Sequence, residues 1–551
     1  MTTDAADLVL RGGAIHTVDD ARPRATALAV RDGRIAAVGS DGEVVGRIGP
    51  RTRVIELRGR TVLPGFQDAH VHPVTSGLDK LRCDLFGVAG GRAGAIDAIR
   101  AYAVANPDLP WIVGSGWSMS DFPGGTPHRH DLDAAVGDRP AYLENRDGHS
   151  AWVSSRALSI AGIDATTPDP IGGRIERDPD GTPSGALHDG ATTPVEILLP
   201  PTGDDERERG LRLAQGYLHS VGVTAWQDAS VGPREQAAYQ ALDGRGELTG
   251  RVVGALWWDR NRGLEQVDEL VARRQQLSLG RFVASSVKVM QDGVAENFTA
   301  SMTQPYCDGH GHPTDNSGIS FVPPDVLLPA AAALDTLGFQ LHFHAIGDLA
   351  VRQCLDAVEH AIARNGRRDA RHHIAHLQVV HPDDVPRFRE LGVVANLQML
   401  WAALEAQMVE LTLPFLGEPR GSWQYPFGDL HRSGAMLAAG SDWSVSSADP
   451  LAALHVAVNR TVPEALRDDD VVHPAFLPEQ RLDLATALTA YTSGSAHVNR
   501  LEHCGAIRPG ALADLVVLDR DPFAGPPDEI AATRVLQTFV DGRRVHAAPD
   551  A

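Results

Sequence analysis

The segment Leu63-Pro64-Gly65-Phe66-Gln67-Asp68-Ala69-His70-Val71-His72-Pro73 places two imidazoles two residues apart where an apolar run ends. On a strand, alternate side chains share a face, so His70 and His72 point the same way and can hold one metal ion between them. The chain has four such His-x-His pairs among its 23 histidines, where chance alone supplies roughly one. Their settings differ. Pro127 and Arg129 put His128/His130 in a polar loop, and Gly309, Gly311 and Pro313 put His310/His312 in a flexible one. His70/His72 and His342/His344 follow apolar, strand-like runs, and these two pairs carry the metal-site expectation.

The elements that must position them follow from apolar, β-branched runs. Thr61–Asp68, Gly222–Ala229, Arg251–Trp258, Ser285–Asp292, Phe339–His344, His372–His376, Val393–Gln398 and Met436–Ser441 read as eight strands. Amphipathic segments such as Leu264–Leu279, Asp325–Leu337, Asp348–Arg364 and Pro382–Leu391 lie between them. This βα alternation predicts an α/β fold, a (β/α)8 TIM-type barrel over about residues 61–499. The gap from Pro73 to Val221 is too long for one connection and is expected to be an insertion at about 74–221, lying over the barrel mouth.

Both chain ends read as short strands with Asp-Gly and Gly-Gly turns, for example Ala27–Gly39 and Val535–Val545. They are expected to build one β-sandwich domain from residues 1–60 and 500–551. Cys83, Cys307, Cys354 and Cys504 form no Cys-x-x-Cys pair, which argues against a zinc ribbon or a disulfide framework. A net charge of -21 disfavours nucleic acid as a partner. No apolar stretch is long enough for a membrane span and no basic-then-apolar leader opens the sequence, so a cytoplasmic protein with a small-molecule substrate is expected, with a homodimer as its assembly.

Barrel enzymes place their chemistry at the C-terminal ends of the strands. The polar residues there are His70 and His72, Lys288, His344, His376 and Asp442. In Ser286-Val287-Lys288-Val289-Met290 the valines face the helices, so Lys288 faces the barrel interior, where an unpaired ammonium is costly. It can lose its charge, pair with a carboxylate such as Asp292, snorkel to a polar rim, or react with carbon dioxide to give a carbamate. His344 ends its strand and is the ligand of its pair, leaving His342 a substrate-side, supporting or core role. Asp442 follows an apolar run into a tight turn and is either a turn former or the proton shuttle that metal-assisted hydrolysis needs.

Gly65–His72, His344-Ala345-Ile346-Gly347-Asp348, the His376 strand and Gly440-Ser441-Asp442-Trp443 resemble the amidohydrolase superfamily. Within it the chain is similar to the YtcJ-like branch, amidohydrolase family 3, which includes N-substituted formamide deformylases; Asn145–Trp152 and Gly510–Leu518 are similar to the same branch. The resemblance implies a barrel with a β-sandwich and one or two ions of zinc or another divalent metal, with attack by metal-bound hydroxide. It implies that His70, His72 and Asp442 hold the first metal, His344 and His376 the second, and Lys288, as a carbamate, bridges them. After Lys288 the sequence Met290–Phe298 departs from the Gly/Ser/Arg-rich loop of many relatives, so substrate specificity does not carry over.

The expected function is metal-dependent hydrolysis of a C–N bond in an amide or formamide-like small molecule. Asp442 and Lys288 are the catalytic candidates, and His149, Trp152 and His342 are expected to contact substrate. Ester or lactone hydrolysis, deamination of a ring carbon, and a non-catalytic metal-binding barrel are the alternatives.

Overall fold

The computed structural model describes residues 5–276, 280–467 and 473–549. Eight parallel strands, Phe66–Val71, Val223–Val231, Arg251–Trp257, Phe282–Met290, Gln340–Ala345, His373–His376, Val394–Leu397 and Leu437–Ala439, form one sheet in chain order. The sheet curls until its last strand meets its first. There Asp442 N donates to His70 O at 2.8 Å and His72 N donates to Trp443 O at 3.0 Å. Gly440 permits the approach, since a Cβ on it would lie 2.6 Å from His70 Cβ.

Helices including Pro233–Gly244, Pro324–Thr336, Asp348–Asn365 and Pro450–Asn459 cover the outside. Their apolar faces close one core with outward strand residues such as Val287, Val289, Leu341 and Phe343. Of the expected helix Leu264–Leu279, Leu264–Gln266 forms a 3-10 turn and Val267–Gln275 an α-helix; residues 277–279 lie outside the described residues. The barrel interior is polar instead. Gln227 Nε2 donates to Gln340 Oε1 at 3.1 Å, Gln227 Oε1 bonds His373 Nε2 at 3.0 Å, and Asn396 Nδ2 meets His373 Nδ1 at 3.2 Å. This layer is the floor beneath the site.

The first expected strand, Thr61–Asp68, is corrected to two. Thr61–Pro64 leaves the barrel and pairs with Leu8–His16 and Leu515–Leu518, whereas Phe66–Val71 enters it. Gly65 marks the break, because a Cβ there would stand 2.5 Å from Thr224 Cγ2. The chain ends meet in one eight-stranded sheet ordered Arg543–Ala547, Val535–Val540, Leu515–Leu518, Thr61–Pro64, Leu8–His16, Arg24–Arg31 and Arg34–Gly39, with Arg53–Glu56 also on Leu8–His16. Hydrogen bonding thus joins both chain ends in one sheet. Arg251 at the base of the barrel binds Asp514 and Asp541 of that sheet, and Arg281 binds Asp541.

Between the first and second barrel strands lies a six-stranded sheet ordered Gly173–Arg177, Pro183–Asp189, Ser150–Val153, Ala141–Asn145, Ile112–Trp117 and Cys83–Asp84. It has its own apolar clusters, one around Trp117, Leu132 and Trp152 and one around Tyr142, Leu158 and Leu187. The flanking helices Pro73–Asp79 and Asp204–Ser220 pack on each other at Gly77 and Gly210 and contribute Val74, Leu78, Leu211 and Leu218 to the barrel core. The separate sheet is therefore narrower than the span of about 74–221 read from the sequence. Among the described residues, no helix is long and apolar enough to cross a membrane.

Candidate metal centre

The strand ends bring the six expected residues to one place. His70 is the penultimate residue of the first strand and His72 caps the helix behind it. Asp442, held at φ +56 by the turn after strand eight, points its Oδ1 to within 3.2 Å of His70 Nε2 and 2.9 Å of His72 Nε2. One donor atom from each of these three residues lies within 4.8 Å of the others, a spacing suited to a single cation.

The second half of the site stands beside it. His376 Nδ1 is 3.8 Å from Asp442 Oδ2, and the His376 ring lies 4.7 Å from that of His70 and 4.4 Å from that of His344. Lys288 Nζ lies 3.5 Å from His70 Nε2. His344 Nε2 is 3.2 Å from Gly293 O and 3.5 Å from Asp292 Oδ1.

Burial pushes His70 down to about 3 and His342, His344 and His376 well below the ordinary imidazole range. These rings are therefore neutral, the form that ligates metal. Burial would raise the Asp442 carboxyl, but the facing His70, His72 and His376 outweigh it and hold Asp442 well below the usual carboxylate range. Burial also lowers Lys288 to about 8, opposed by Asp442 and Asp228. Asp442 Oδ1 and His376 Nδ1 are buried with no hydrogen-bond partner. Such orphaned lone pairs, converging with neutral imidazoles and a carboxylate, fit a divalent cation.

Residues 53–546 match the amidohydrolase family. The chain belongs to that family. Among curated relatives it is 32% identical to Protein LONG AFTER FAR-RED 3 of Arabidopsis thaliana, over 98% of this chain and 92% of that protein. It is 29% identical to the putative amidohydrolase YtcJ of Bacillus subtilis, over 98% and 99%. It is 27% identical to the N-substituted formamide deformylase of Arthrobacter pascens, over 98% of each. A solved metal-dependent hydrolase from Pyrococcus furiosus matches with a TM-score of 0.68 and 26% identity, covering 94% of this chain and 99% of that one. The resemblance read from the motifs is thus shown, and this amidohydrolase is a metal-dependent hydrolase of that superfamily.

The three residues expected to contact substrate part company. His149 reaches the site from the insertion, its ring 5.6 Å from that of His344. Trp152 does not, and that expectation is corrected: it is fully buried in the insertion's own core, edge-on to Phe122, with Nε1 donating to His128 O at 3.0 Å. It lies on the strand Ser150–Val153, beyond the turn that delivers His149, and faces the cluster around Trp117. His342 is corrected from substrate contact to support. Its Nε2 bonds His70 Nδ1 at 2.7 Å, and His373 packs beneath it at 4.0 Å between ring centroids. The loop pairs stay apart, with His128 on Asp178 and His312 on Asp308.

Several working groups escaped the sequence reading. Asp68 accepts from His70 N at 3.0 Å and from Ser441 Oγ at 2.6 Å, tying strand one to strand eight; burial raises it to about 7. Asp292 does not pair with Lys288. It accepts from Ser301, Ile346 and Gly347 N at 2.8–3.0 Å and so clamps the turn after His344. Gln398 Oε1 accepts from His376 N at 2.6 Å, and the Trp401 indole stacks on His376 at 5.2 Å. Asp68 had a signal in sequence, its place in the Asp68-Ala69-His70-Val71-His72 motif, and Asp292 was read there only as a candidate partner of Lys288.

Proposed function

We propose that this amidohydrolase cleaves a C–N bond in an amide or formamide-like small molecule. The observation that carries the reading is the convergence of Asp442 Oδ1 with His70 Nε2 and His72 Nε2 at 3.2 and 2.9 Å, in a buried setting where that oxygen has no hydrogen bond. These three residues would hold one divalent ion, zinc or a similar metal. His344 and His376 would hold a second, with Lys288 as a carbamate between the two. When bound, such an ion lowers the pKa of water toward neutrality and polarises a carbonyl.

The protein's own groups supply the rest. His342 holds the His70 ring through Nδ1, so that Nε2 faces Asp442. Asp442 Oδ2, the oxygen that faces His376, takes a proton and returns it to the departing nitrogen. The similarity to an N-substituted formamide deformylase over 98% of the chain supports an amide-class substrate.

The test is metal analysis of the purified protein followed by turnover on N-substituted formamides and amides, on esters and lactones, and on amino-heterocycles. Metal with amide turnover is expected. Turnover confined to the ester or ring-amine panel replaces the C–N reading by the matching alternative, and metal without any turnover makes the barrel a binding protein.

A further inference from the structure

Asp189 and His149 come from different strand ends of the insertion yet form one unit. The turn that delivers His149 is set by Asn145, whose Oδ1 accepts from His149 N at 3.0 Å and Ser150 N at 2.9 Å. Across the sheet, Asp189 N donates to His149 O at 2.8 Å while Asp189 Oδ1 bonds His149 Nδ1 at 2.7 Å. One residue thus grips both the backbone and the ring. From the barrel side, Asn297 Nδ2 donates to the same His149 O at 3.2 Å. Asp189 itself sits at φ +46, uncommon for a residue with a side chain. Its Oδ2 is buried without a partner.

A carboxylate that accepts Nδ1–H fixes the tautomer and rotation of an imidazole and leaves Nε2 as the atom that can meet a ligand. His149 Nε2 has no hydrogen-bond partner among the described residues, although the side chain is only 8% exposed. The ring faces the space beside His344.

We infer that Asp189 is a positioning residue that holds His149 so that its Nε2 contacts bound substrate next to His344. The inference rests on the hydrolytic reading and adds that the insertion, as well as the barrel, touches the reacting end of the substrate.

Three variants of the metal-loaded full chain test it: His149→Ala, Asp189→Asn and the two combined. Asparagine is chosen because it tolerates the left-handed backbone at this position. Asp189→Asn is expected to lower kcat about 10- to 100-fold with metal content unchanged, the range typical of a supporting partner. The double variant is expected to be no slower than His149→Ala, because residues that act as a unit are not additive. Wild-type turnover in Asp189→Asn, or a double variant slowed by the full product of the single effects, overturns the inference. The cycle is run on whichever substrate panel the wild type turns over, so a failure of the C–N reading appears as a change of panel and leaves the cycle intact. A crystal structure of Asp189→Gly, which removes the carboxylate and keeps the left-handed backbone, gives a readout without turnover. A displaced His149 ring supports the inference, and a ring unmoved from its place overturns it.

Discussion

In the barrel, the candidate ligands arrive from the ends or first following residues of parallel strands, and other barrel residues brace them: His342 from strand five and Asp68 from the same strand hold His70, and Gln398, just after strand seven, holds His376. In the insertion, one imidazole arrives from a turn whose backbone is held by Asn145, Asp189 and, from the barrel, Asn297, while its ring is held by the Asp189 carboxylate alone. The first arrangement is redundant and suits charge-dense chemistry that must not shift. In the second, one carboxylate alone orients the ring, which suits a surface that adapts to different substrates on one scaffold.

The sharpest way to break this comparison is at the barrel. Asp442→Ala removes both a proposed metal donor and the proposed proton shuttle, and turnover is expected to fall at least about 10²- to 10⁴-fold, the usual worth of a general acid–base group alone. Metal analysis alongside kinetics separates the two losses, and an active, metal-replete variant would remove Asp442 from the mechanism. Lys288→Ala is expected to lose most bound metal and activity, with partial rescue by small carboxylates that can occupy the gap. The reason is charge: a carbamate between two divalent ions would screen their repulsion, and without it the Asp442 carboxylate and neutral imidazoles would be left to hold both, and weakly. Unchanged metal stoichiometry and turnover would refute the bridge.

One step further from the metal, His342→Ala keeps every proposed donor but frees the His70 ring. Metal affinity is expected to drop about 10- to 100-fold, measured by competition with a chelator. An unchanged affinity would mean that the barrel is no more tightly braced than the insertion. The smallest effect on turnover is expected from Trp152→Ala. It should cost about 3–5 kcal/mol of stability, as for other large-to-small aromatic changes in a core, while kcat and KM per folded, metal-loaded molecule stay near wild type. A KM change with stability intact would return Trp152 to the substrate pocket.

How much was legible in the sequence differed between these regions for the same reason. Barrel strands carry their message locally: an apolar run fixes the faces, so Val287-Lys288-Val289 already says that Lys288 points inward, and the C-terminal end of each run says where chemistry sits. The insertion has a mixed sheet with two apolar faces, and there a residue's role depends on which face meets the barrel. Hence His149 could be placed at the site while Trp152, three residues on, was misplaced. Thr61–Asp68 read as one strand because apolar periodicity does not register a change of sheet at Gly65.

By itself the sequence determined the βα alternation, the six candidate donors and their places at strand ends, because alternation of side chains and apolar periodicity are properties of neighbouring residues. Tertiary structure decided which lone pairs converge. The contact of His342 with His70, the ties of Asp68 to Ser441 and of Asp189 to His149, and the orphaned Asp442 Oδ1 join positions tens to hundreds of residues apart. A hydrogen bond constrains distance in space, and no spacing along the chain encodes it.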